Sequence, residues 1–466
     1  MKLMRLLWIG IVAAGAGVVL FACSSKSGFS EDPVVDGGPV VEASLPAEHD
    51  ASVDEDAADA TDDYVVPDAS VTCGTGPCAV SLSGWGNTLC ALLADGTVAC
   101  WGSNDQAQLG YDTGPDFPHA SATANRVPDL SGVAQVSVGE ANTCARVADG
   151  GVLCWGAPDL LNAGTSRDGG DAPFSAPAFT PTRLDLVEPA SSVAVGSNVA
   201  CSTDAAGKVR CWGQNGHLEL GRGAPKGEPG PPGDVALGAR IAVVEPGVER
   251  VFALTAAGDL WSWGASTQQG GYGFLLARDT SEDPDGVPAK VPFGVVRGVG
   301  SGPNHGCAVV GRYVTCWGAN DNGQLGRGTF GPEFYSPAPT NLEFVIHGED
   351  VDAGTPGRGD VTIDLSVSDG HSCAVMASGR VYCWGGNFGS KLGDGVPADV
   401  QRTGRPTRIV GLSGPAVRVV STASATCALL QTGNIECWGT NFVGQLGRGA
   451  RDDQTHPHPV NVVLPP

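Results

Sequence analysis

CALLADGTVACWG, at residues 90–102, has close variants at six further places in the chain. In each copy two β-prone runs flank a short loop, a pattern typical of a β-hairpin. The loop has three residues with glycine third in six copies, and two residues, Gly311-Arg312, in the fifth. The other copies are CARVADGGVLCWG (144–156), CSTDAAGKVRCWG (201–213), FALTAAGDLWSWG (252–264), CAVVGRYVTCWG (307–318), CAVMASGRVYCWG (373–385) and CALLQTGNIECWG (427–439).

The two cysteines of a copy form the fourth opposed pair counted outward from the loop, which is within reach of a disulfide. The fourth copy has Phe252 and Ser262 instead, so both cysteines are lost together. Joint loss favours covalent pairs over buried free thiols, and the spacing lacks the short knuckle of a zinc site. The predicted disulfides are Cys90–Cys100, Cys144–Cys154, Cys201–Cys211, Cys307–Cys316, Cys373–Cys383, Cys427–Cys437 and, outside the hairpins, Cys73–Cys78.

The 466-residue chain is strongly acidic, with 50 acidic and 27 basic side chains. A surface of this charge repels phosphate backbones, so nucleic-acid binding is disfavoured. The fifteen cysteines indicate an oxidising compartment outside the cytoplasm.

Residues 1–22 read as a signal peptide, with Lys2 and Arg5 preceding an apolar run too short for a stable spanning helix. The run ends in LFAC at residues 20–23, which resembles the lipobox of bacterial lipoproteins. The resemblance implies cleavage before Cys23 and lipid attachment to it, and Ser24 then favours the outer membrane of the bacterial cell envelope. The alternatives are an ordinary secretory signal and an uncleaved anchor.

Residues 23–72 alternate acidic with small residues and show neither helical nor strand periodicity. This composition predicts a disordered, self-repelling tether between lipid and domain. Weak calcium binding by its acidic clusters is the alternative, although the spacing matches no calcium loop.

Residues 73–466 carry the repeats, with successive CWG or SWG tryptophans 51 to 67 residues apart. About four strands per repeat indicate an all-β, seven-bladed β-propeller of four-stranded blades. The first repeat lacks a Pro-led strand before it, and Pro457 to Leu464 is a surplus strand at the end. We therefore expect the C-terminal strand to complete the blade of Cys90 and Cys100.

The turn WGANDNGQLG at 317–326 and its variant at 438–447 resemble the regulator-of-chromosome-condensation repeat, and His305 and His371 stand at that repeat's His position. The resemblance spans residues 79–464 and implies a seven-bladed propeller. The cysteine-paired version resembles extracellular bacterial members. The founding member is a guanine-nucleotide exchange factor with a basic tail, whereas this chain has an acidic tether and an export signal.

The sequence contains no recognisable catalytic motif, and we expect no cofactor and no metal ion. GQLGRG at 323–328 and 444–449 precedes a strand and not a helix, so it reads as a turn and not a phosphate loop. Arg358-Gly359-Asp360 reads as a chance tripeptide, His305 and His371 as structural or rim residues, and the repeated tryptophans as blade core.

The sequence therefore predicts a lipid-anchored, monomeric scaffold that binds a protein or a surface polymer. The binding surface would come from insertions at 157–180, 222–240, 265–290 and 346–360, gathered on one face. The alternatives are a polysaccharide hydrolase or lyase, which a cluster of acids with perturbed pKa in the axial channel would favour and an apolar channel would not, and an exchange factor.

Overall fold

The computed structural model describes residues 70–115, 119–164, 176–223, 225–267, 275–311, 313–331, 336–342 and 360–466. Residues 1–69, with Cys23 and nearly all of the tether, lie outside them, as do Arg312 and residues 343–359. No helix among the described residues has the length and apolar character needed to cross a membrane.

Seven antiparallel sheets of four strands each form the blades of a β-propeller, as the repeats predict. The first four blades comprise β1 (Ala79–Trp85), β2 (Thr88–Leu93), β3 (Val98–Ser103), β4 (Ala120–Arg126); β5 (Val133–Val138), β6 (Asn142–Val147), β7 (Val152–Gly156), β8 (Ala178–Arg183); β9 (Ala190–Val195), β10 (Val199–Asp204), β11 (Val209–Gly213), β12 (Gly230–Asp234); β13 (Ile241–Pro246), β14 (Arg250–Thr255), β15 (Leu260–Gly264) and β16 (Asp285–Lys290). The last three comprise β17 (Val296–Ser301), β18 (His305–Val310), β19 (Tyr313–Gly318), β20 (Ser336–Leu342); β21 (Thr362–Val367), β22 (His371–Met376), β23 (Val381–Gly386), β24 (Arg402–Arg408); β25 (Ala416–Ser421), β26 (Ala425–Leu430), β27 (Ile435–Thr440) and β28 (Thr455–Asn461). A short helix, α1 (Pro158–Gly164), lies between β7 and β8.

The predicted closure of the ring by the C-terminal strand is wrong. The C-terminal strand β28 pairs with β27 of its own blade, with Val460 opposite Cys437. The outer strand of the first blade is β4, which pairs with β3 and places Asn125 opposite Cys100. The strand after each CWG or SWG block folds back onto that same block, so every blade is complete within one continuous segment.

In five of the blades, the reversal of chain direction after the CWG block depends on a turn centred on an asparagine. In the first blade the Asn104 side-chain oxygen accepts the backbone N–H of Leu109 at 2.9 Å, and its amide donates to the Tyr111 carbonyl at 2.9 Å. Asn215, Asn320, Asn387 and Asn441 make the same oxygen contact with the residue five positions later. These bonds close the turn locally and bring the outer strand back to its own blade.

The seam, where the last blade meets the first, is held by the same kind of backbone hydrogen bond that joins other neighbouring blades. The N–H of Ala79, at the start of β1, donates to the carbonyl of the hairpin glycine Gly433 at 2.9 Å. Val133 and Gly96, at the junction of the first two blades, form the same bond at 2.9 Å. Gly433 has φ +82°, and a Cβ there would lie 2.3 Å from the Cys78 sulfur, so only glycine fits this close approach.

The repeated tryptophans are fully buried, which confirms their predicted place in the blade cores. Six of the seven indole N–H groups donate to a backbone carbonyl in the preceding blade, including Trp155 to Gln108 at 2.9 Å and, across the seam, Trp101 to Gln445 at 3.1 Å. The Trp212 indole N–H is the exception and has no hydrogen-bond partner within the part of the chain that the structure describes. In the blade before it, α1 stands in place of the turn, and Leu160 and Leu161 of α1 pack in one cluster with the Trp212 ring.

Candidate functional site

All seven predicted cysteine pairs are disulfides in the structure. In the six hairpins the paired cysteines are directly opposed, with Cα atoms 4.0 to 4.1 Å apart. The Cα atoms of Cys73 and Cys78 are 5.7 Å apart. This seventh pair lies in the segment that leads into the seam, where Thr72 N–H donates to the Gln431 carbonyl at 2.7 Å. The disulfides belong to the scaffold and offer no reactive thiol.

The two predicted histidines are buried between blades and do not reach the rim. His305 Nε2 lies 2.7 Å from the Ser372 hydroxyl, and His371 bonds to the hydroxyls of Ser368 at 2.8 Å and Thr426 at 3.0 Å. Burial lowers the pKa of His305 to about 3 and lowers the pKa of His371 well below its usual range. Near neutral pH both imidazoles are therefore uncharged, and they link neighbouring blades through their hydrogen bonds.

Arg250 occupies the same position of the fourth repeat, two residues before the first member of the opposed pair, and our sequence reasoning missed it. Its guanidinium is buried and donates to the Val248 carbonyl at 3.1 Å, the Pro303 carbonyl at 3.0 Å and the Ser301 hydroxyl at 3.2 Å. Burial lowers the pKa of Arg250 to about 10. Aligning the repeats at this position would have grouped Arg250 with the histidines as a polar link between blades.

The described strand ends that flank the four predicted insertions do not all lie at one end of the propeller. Each blade is an antiparallel meander, so the connections after its first and third strands emerge at one end, and those after its second and fourth strands emerge at the other. Connections 157–177, 214–229 and 265–284 follow third strands, and we call their end the insertion face. Residues 346–359 of the fourth predicted insertion lie outside the described residues; the strands that flank it are β20, a fourth strand, and β21, a first strand, and they meet it at the opposite end.

Parts of the predicted insertions are blade strands: β12 lies within 222–240 and β16 within 265–290. Of the Arg358-Gly359-Asp360 tripeptide, only Asp360 is described. Its carboxylate accepts the backbone N–H and the hydroxyl of Ser378 at 2.9 and 2.8 Å, which anchors the neighbouring hairpin. Asp360 therefore has a structural role in this fold.

Three phenylalanines stand exposed on the insertion face of three successive blades. Phe388 and Phe442 each follow the asparagine of a turn and are 56% and 45% exposed. Phe330, in the preceding blade, is 41% exposed, and the Arg402 guanidinium lies 4.5 Å from its ring centre. We call Phe330, Phe388 and Phe442 the phenylalanine arc.

The axial channel is a cavity of about 580 Å³, lined by the first strands of all seven blades. It holds charges of both signs, with Glu245 on β13, Asp364 on β21 and Arg418 on β25. Burial raises the pKa of Glu245 to about 7, and burial also raises the pKa of Asp364. The sequence offered no signal for this grouping, because the three side chains come from separate repeats.

No group of three or more histidine, cysteine or acidic side chains suited to a metal ion occurs among the described residues. GQLGRG lies in the asparagine-centred turns ahead of β20 and β28, so it forms no strand-to-helix phosphate loop. The described residues therefore offer two candidate sites, the phenylalanine arc and the axial channel.

Comparison with known proteins agrees with the repeat pattern. Residues 363–389 match the regulator of chromosome condensation (RCC1) repeat. The chain is 28% identical over 381 residues to the ultraviolet-B receptor UVR8 of Arabidopsis thaliana, covering 79% of this chain and 78% of the receptor. It is also 28% identical over 356 residues to the human E3 ubiquitin-protein ligase HERC2, of which the match covers only 7%.

Solved structures show the same fold. Yeast RCC1 (Prp20) bound to Kap60 superposes with a TM-score of 0.66 at 19% identity, covering 79% of this chain and 84% of the solved chain. A second structure, of Prp20p from Saccharomyces cerevisiae, gives 0.65 at 18% identity, covering 84% and 87%. In its repeats, sequence and fold, the protein is similar to the RCC1-like repeat propellers.

Proposed function

We propose that this protein is a lipid-anchored binding scaffold of the bacterial cell envelope, which recognises a protein partner through its insertion face. The observation that carries the proposal is the phenylalanine arc, since three successive blades each expose an aromatic side chain at the same end, and exposed aromatic side chains are typical anchors of protein interfaces. The yeast structures described above concern a complex with Kap60 and binding to Gsp1p and histones, so those relatives bind proteins, and this supports a protein partner here.

The partner should present apolar side chains surrounded by basic ones. Outside the tether and the signal peptide the chain still carries 37 acidic and 24 basic residues, so its surface attracts positive charge. A surface polymer remains the alternative ligand, for which the aromatic rings would serve as stacking platforms. We expect the protein itself to act as a monomer.

The test compares wild-type protein with Phe388→Ser/Phe442→Ser during affinity capture from intact cell envelope. Val287→Ser is the control, because Val287 is 70% exposed on the outer strand β16 of the fourth blade, which carries no member of the arc. We expect one partner to be lost with the double variant, retained with the control, and to protect the insertion face from hydrogen exchange. A partner retained equally by all three proteins would contradict the proposal.

The anchor is tested separately, by labelling cells with radioactive palmitate. We expect label on the wild-type protein and none on Cys23→Ala. An unlabelled wild-type protein in the cytoplasm would contradict the anchor and would favour the exchange-factor alternative, which needs a cytoplasmic GTPase.

A hydrolase or lyase is the second candidate, favoured by the two channel carboxyls with raised pKa. Asp364 is partly committed to the scaffold, since its Oδ2 accepts the Val419 backbone N–H at 2.8 Å. Release of reducing ends from envelope polysaccharide by wild-type protein, abolished in Glu245→Gln, would establish this candidate in place of a binding scaffold.

A further inference from the structure

The outer strand of the sixth blade concentrates positive charge. β24 contains Arg402, Arg405 and Arg408 within seven residues, and we call these three the arginine strip. Arg402 and Arg405 are exposed, and Arg408 is half-buried. Outside the tether and the signal peptide the chain has 37 acidic and only 24 basic side chains. The strip is therefore a local exception to the acidic character of the propeller.

Other blades neutralise the base at the end of the outer strand with an acid of their own hairpin. In the first blade Arg126 of β4 pairs with Asp95 at 2.8 Å, and the second and fourth blades have equivalent ion pairs. Arg408 has the equivalent place on β24, opposite the residue before the second cysteine. The sixth hairpin has Ser378 where the first has Asp95, so this hairpin supplies no carboxylate to the strip.

Arg402 brings the strip to the phenylalanine arc. Its guanidinium lies 4.5 Å from the Phe330 ring centre, and its Nη1 donates to the Asp321 carbonyl at 2.8 Å. Its backbone is opposite Gly386, and a Cβ on Gly386 would lie 3.5 Å from the Phe388 Cδ2. The arc thus includes a positioned cation, which rests on one of its rings and belongs to the strand beside the second.

The two exposed arginines keep most of their hydrogen-bonding capacity for a ligand. A guanidinium has five N–H groups, and Arg402 uses one of them on a described acceptor. Arg405 lies over Gly328, with its Nε 3.0 Å from the place of a Cβ there, and its side chain makes no hydrogen bond or ion pair with a described residue. Asp399, three residues before Arg402, forms no ion pair with it in the described part of the chain.

We propose that the arginine strip binds an acidic peptide segment of the protein partner, whose carboxylates pair with Arg402 and Arg405 while a neighbouring apolar side chain packs on the phenylalanine arc. The inference rests on the proposed function, because it names the chemistry of the segment that the arc recognises. The planar fork of a guanidinium matches a carboxylate with two parallel hydrogen bonds.

The surroundings of the strip favour a peptide over an anionic polymer. A polymer with charge along its whole length would leave the strip and meet the acidic surface that surrounds it, which would repel it. A peptide with one or two carboxylates beside an apolar side chain meets only the arginines and the rings. Basic residues elsewhere on the partner would still match the acidic remainder of the propeller.

The experiment is selection of a random-peptide display library on the immobilised full chain. We expect the selected peptides to carry aspartate or glutamate next to an aromatic or large aliphatic residue. Arg402→Glu should weaken a selected peptide by roughly tenfold or more, as loss of a hydrogen bond between charged groups does. Arg402→Lys, which keeps the charge and loses the fork, should cause a smaller loss.

Arg297→Glu is the matched control. Arg297 is also exposed, but it lies near the start of the first strand β17, at the end of the propeller opposite to the insertion face. Circular dichroism shows whether each variant is folded. Acidic peptides that bind the wild-type protein and Arg297→Glu alike, and that bind a folded Arg402→Glu more weakly, support the proposal.

Three results would overturn it: no peptide is selected, the selected peptides lack acidic residues, or their affinity is unchanged in Arg402→Glu. Dextran sulfate that binds through Arg402 where no peptide does would assign the strip to an anionic polymer. A synthetic peptide of residues 50–63 that binds as tightly as the selected peptides would assign it to the acidic tether of this chain.

The inference and the proposed function can fail separately. Partner capture that is lost in Phe388→Ser/Phe442→Ser and kept in Arg402→Glu would uphold the phenylalanine arc and overturn the role of the strip. Capture that is kept in both variants would contradict the proposed function itself.

Discussion

The third and fourth blades solve the same structural problem with different chemistry. In the third blade Cys201 opposes Cys211 and a disulfide joins the second and third strands. In the fourth blade Phe252 opposes Ser262 at the equivalent register, and no covalent bond joins the strands. The backbone pairing is the same in both blades, so the fold does not require a cross-link at this position.

The fourth blade replaces the disulfide by burial and by polar contacts. The Phe252 ring is fully buried, with its centre 5.6 Å from that of Trp317 in the next blade. The Ser262 hydroxyl donates to the Leu276 carbonyl at 2.8 Å and accepts from Arg278 Nε at 3.1 Å. Arg278 in turn pairs with Asp285 at 2.8 Å. The opposed pair can thus be held by one covalent bond or by several weaker contacts that reach beyond the hairpin.

The largest effect should come from removing the aromatic half of the uncrosslinked pair. Phe252→Ala should lower the free energy of unfolding by about 3–5 kcal/mol, because it empties a fully buried site beside Trp317. Urea denaturation measures the loss, with Phe179→Ala as the control, since Phe179 is 40% exposed on β8. A loss under 1 kcal/mol for Phe252→Ala would mean that this ring does not hold the blade.

Removing one cross-link should have a somewhat smaller effect. Cys201→Ala/Cys211→Ala should cost roughly 2–3 kcal/mol, towards the lower end because the closed loop is short. Denaturation under oxidising conditions gives the value, and under reducing conditions the variant and the wild-type protein should converge. Peptide mapping without reductant must first find Cys201 linked to Cys211, and linkage between different repeats would contradict the blade register.

The comparison extends to the residue two positions earlier, which is Val199 in the third blade and His305 in the fifth. The pKa of His305 is about 3 in the folded protein against an ordinary value of 6.5, so the unfolded chain binds the extra proton more readily. The contribution of the neutral His305 side chain to the free energy of unfolding is complete above pH 6.5. It falls by about 1.4 kcal/mol per pH unit as the pH drops from 6.5 towards 3. His371 acts in the same direction.

His305→Asn tests this dependence, because asparagine already occupies the position as Asn142, where its amide donates to the Ala157 carbonyl at 2.8 Å. Denaturation between pH 7 and pH 5 should show a shallower loss of stability in the variant than in the wild-type protein. Equal slopes would show that the imidazole is not kept neutral by the fold.

The smallest effect should come from the polar half of the fourth-blade pair. Ser262→Ala removes a buried hydroxyl that bonds to Leu276 and Arg278, and should cost about 1 kcal/mol. Combining it with Phe252→Ala measures whether the two halves act together, since contacting residues rarely add independently. A Ser262→Ala variant as stable as the wild-type protein would leave Phe252 alone in the role of the disulfide.

The parts of the fold that the sequence predicted are those encoded within a single repeat. The hairpin register around Cys90 and Cys100 follows from loop length and strand periodicity, and the buried tryptophans follow from a fixed place beside each hairpin. The closure was predicted wrongly because an outer strand such as β4 has two possible partners close in sequence. The strand with which β4 pairs is decided by the Asn104 turn, and the spacing of residues in the sequence does not reveal the hydrogen bonds of that turn.

The candidate sites depended more heavily on the three-dimensional structure. Phe388 and Phe442 could have been grouped from their equivalent places in the repeats, but not their exposure. Three separate repeats contribute the charged channel residues Glu245, Asp364 and Arg418. These residues line one cavity only because the first strands of the blades meet around the axis. The end of the propeller at which each connection lies likewise could be assigned only from the order of strands within each blade.

The sequence by itself determined the repeat count, the hairpins and the pairing of opposed positions, because each is a short-range property of about 13 residues copied seven times. Only the tertiary structure decided how the ring closes, which connections share an end and which charges meet in the channel. Those features arise from contacts between repeats, whose geometry is fixed by packing around an axis and not by any one segment of chain.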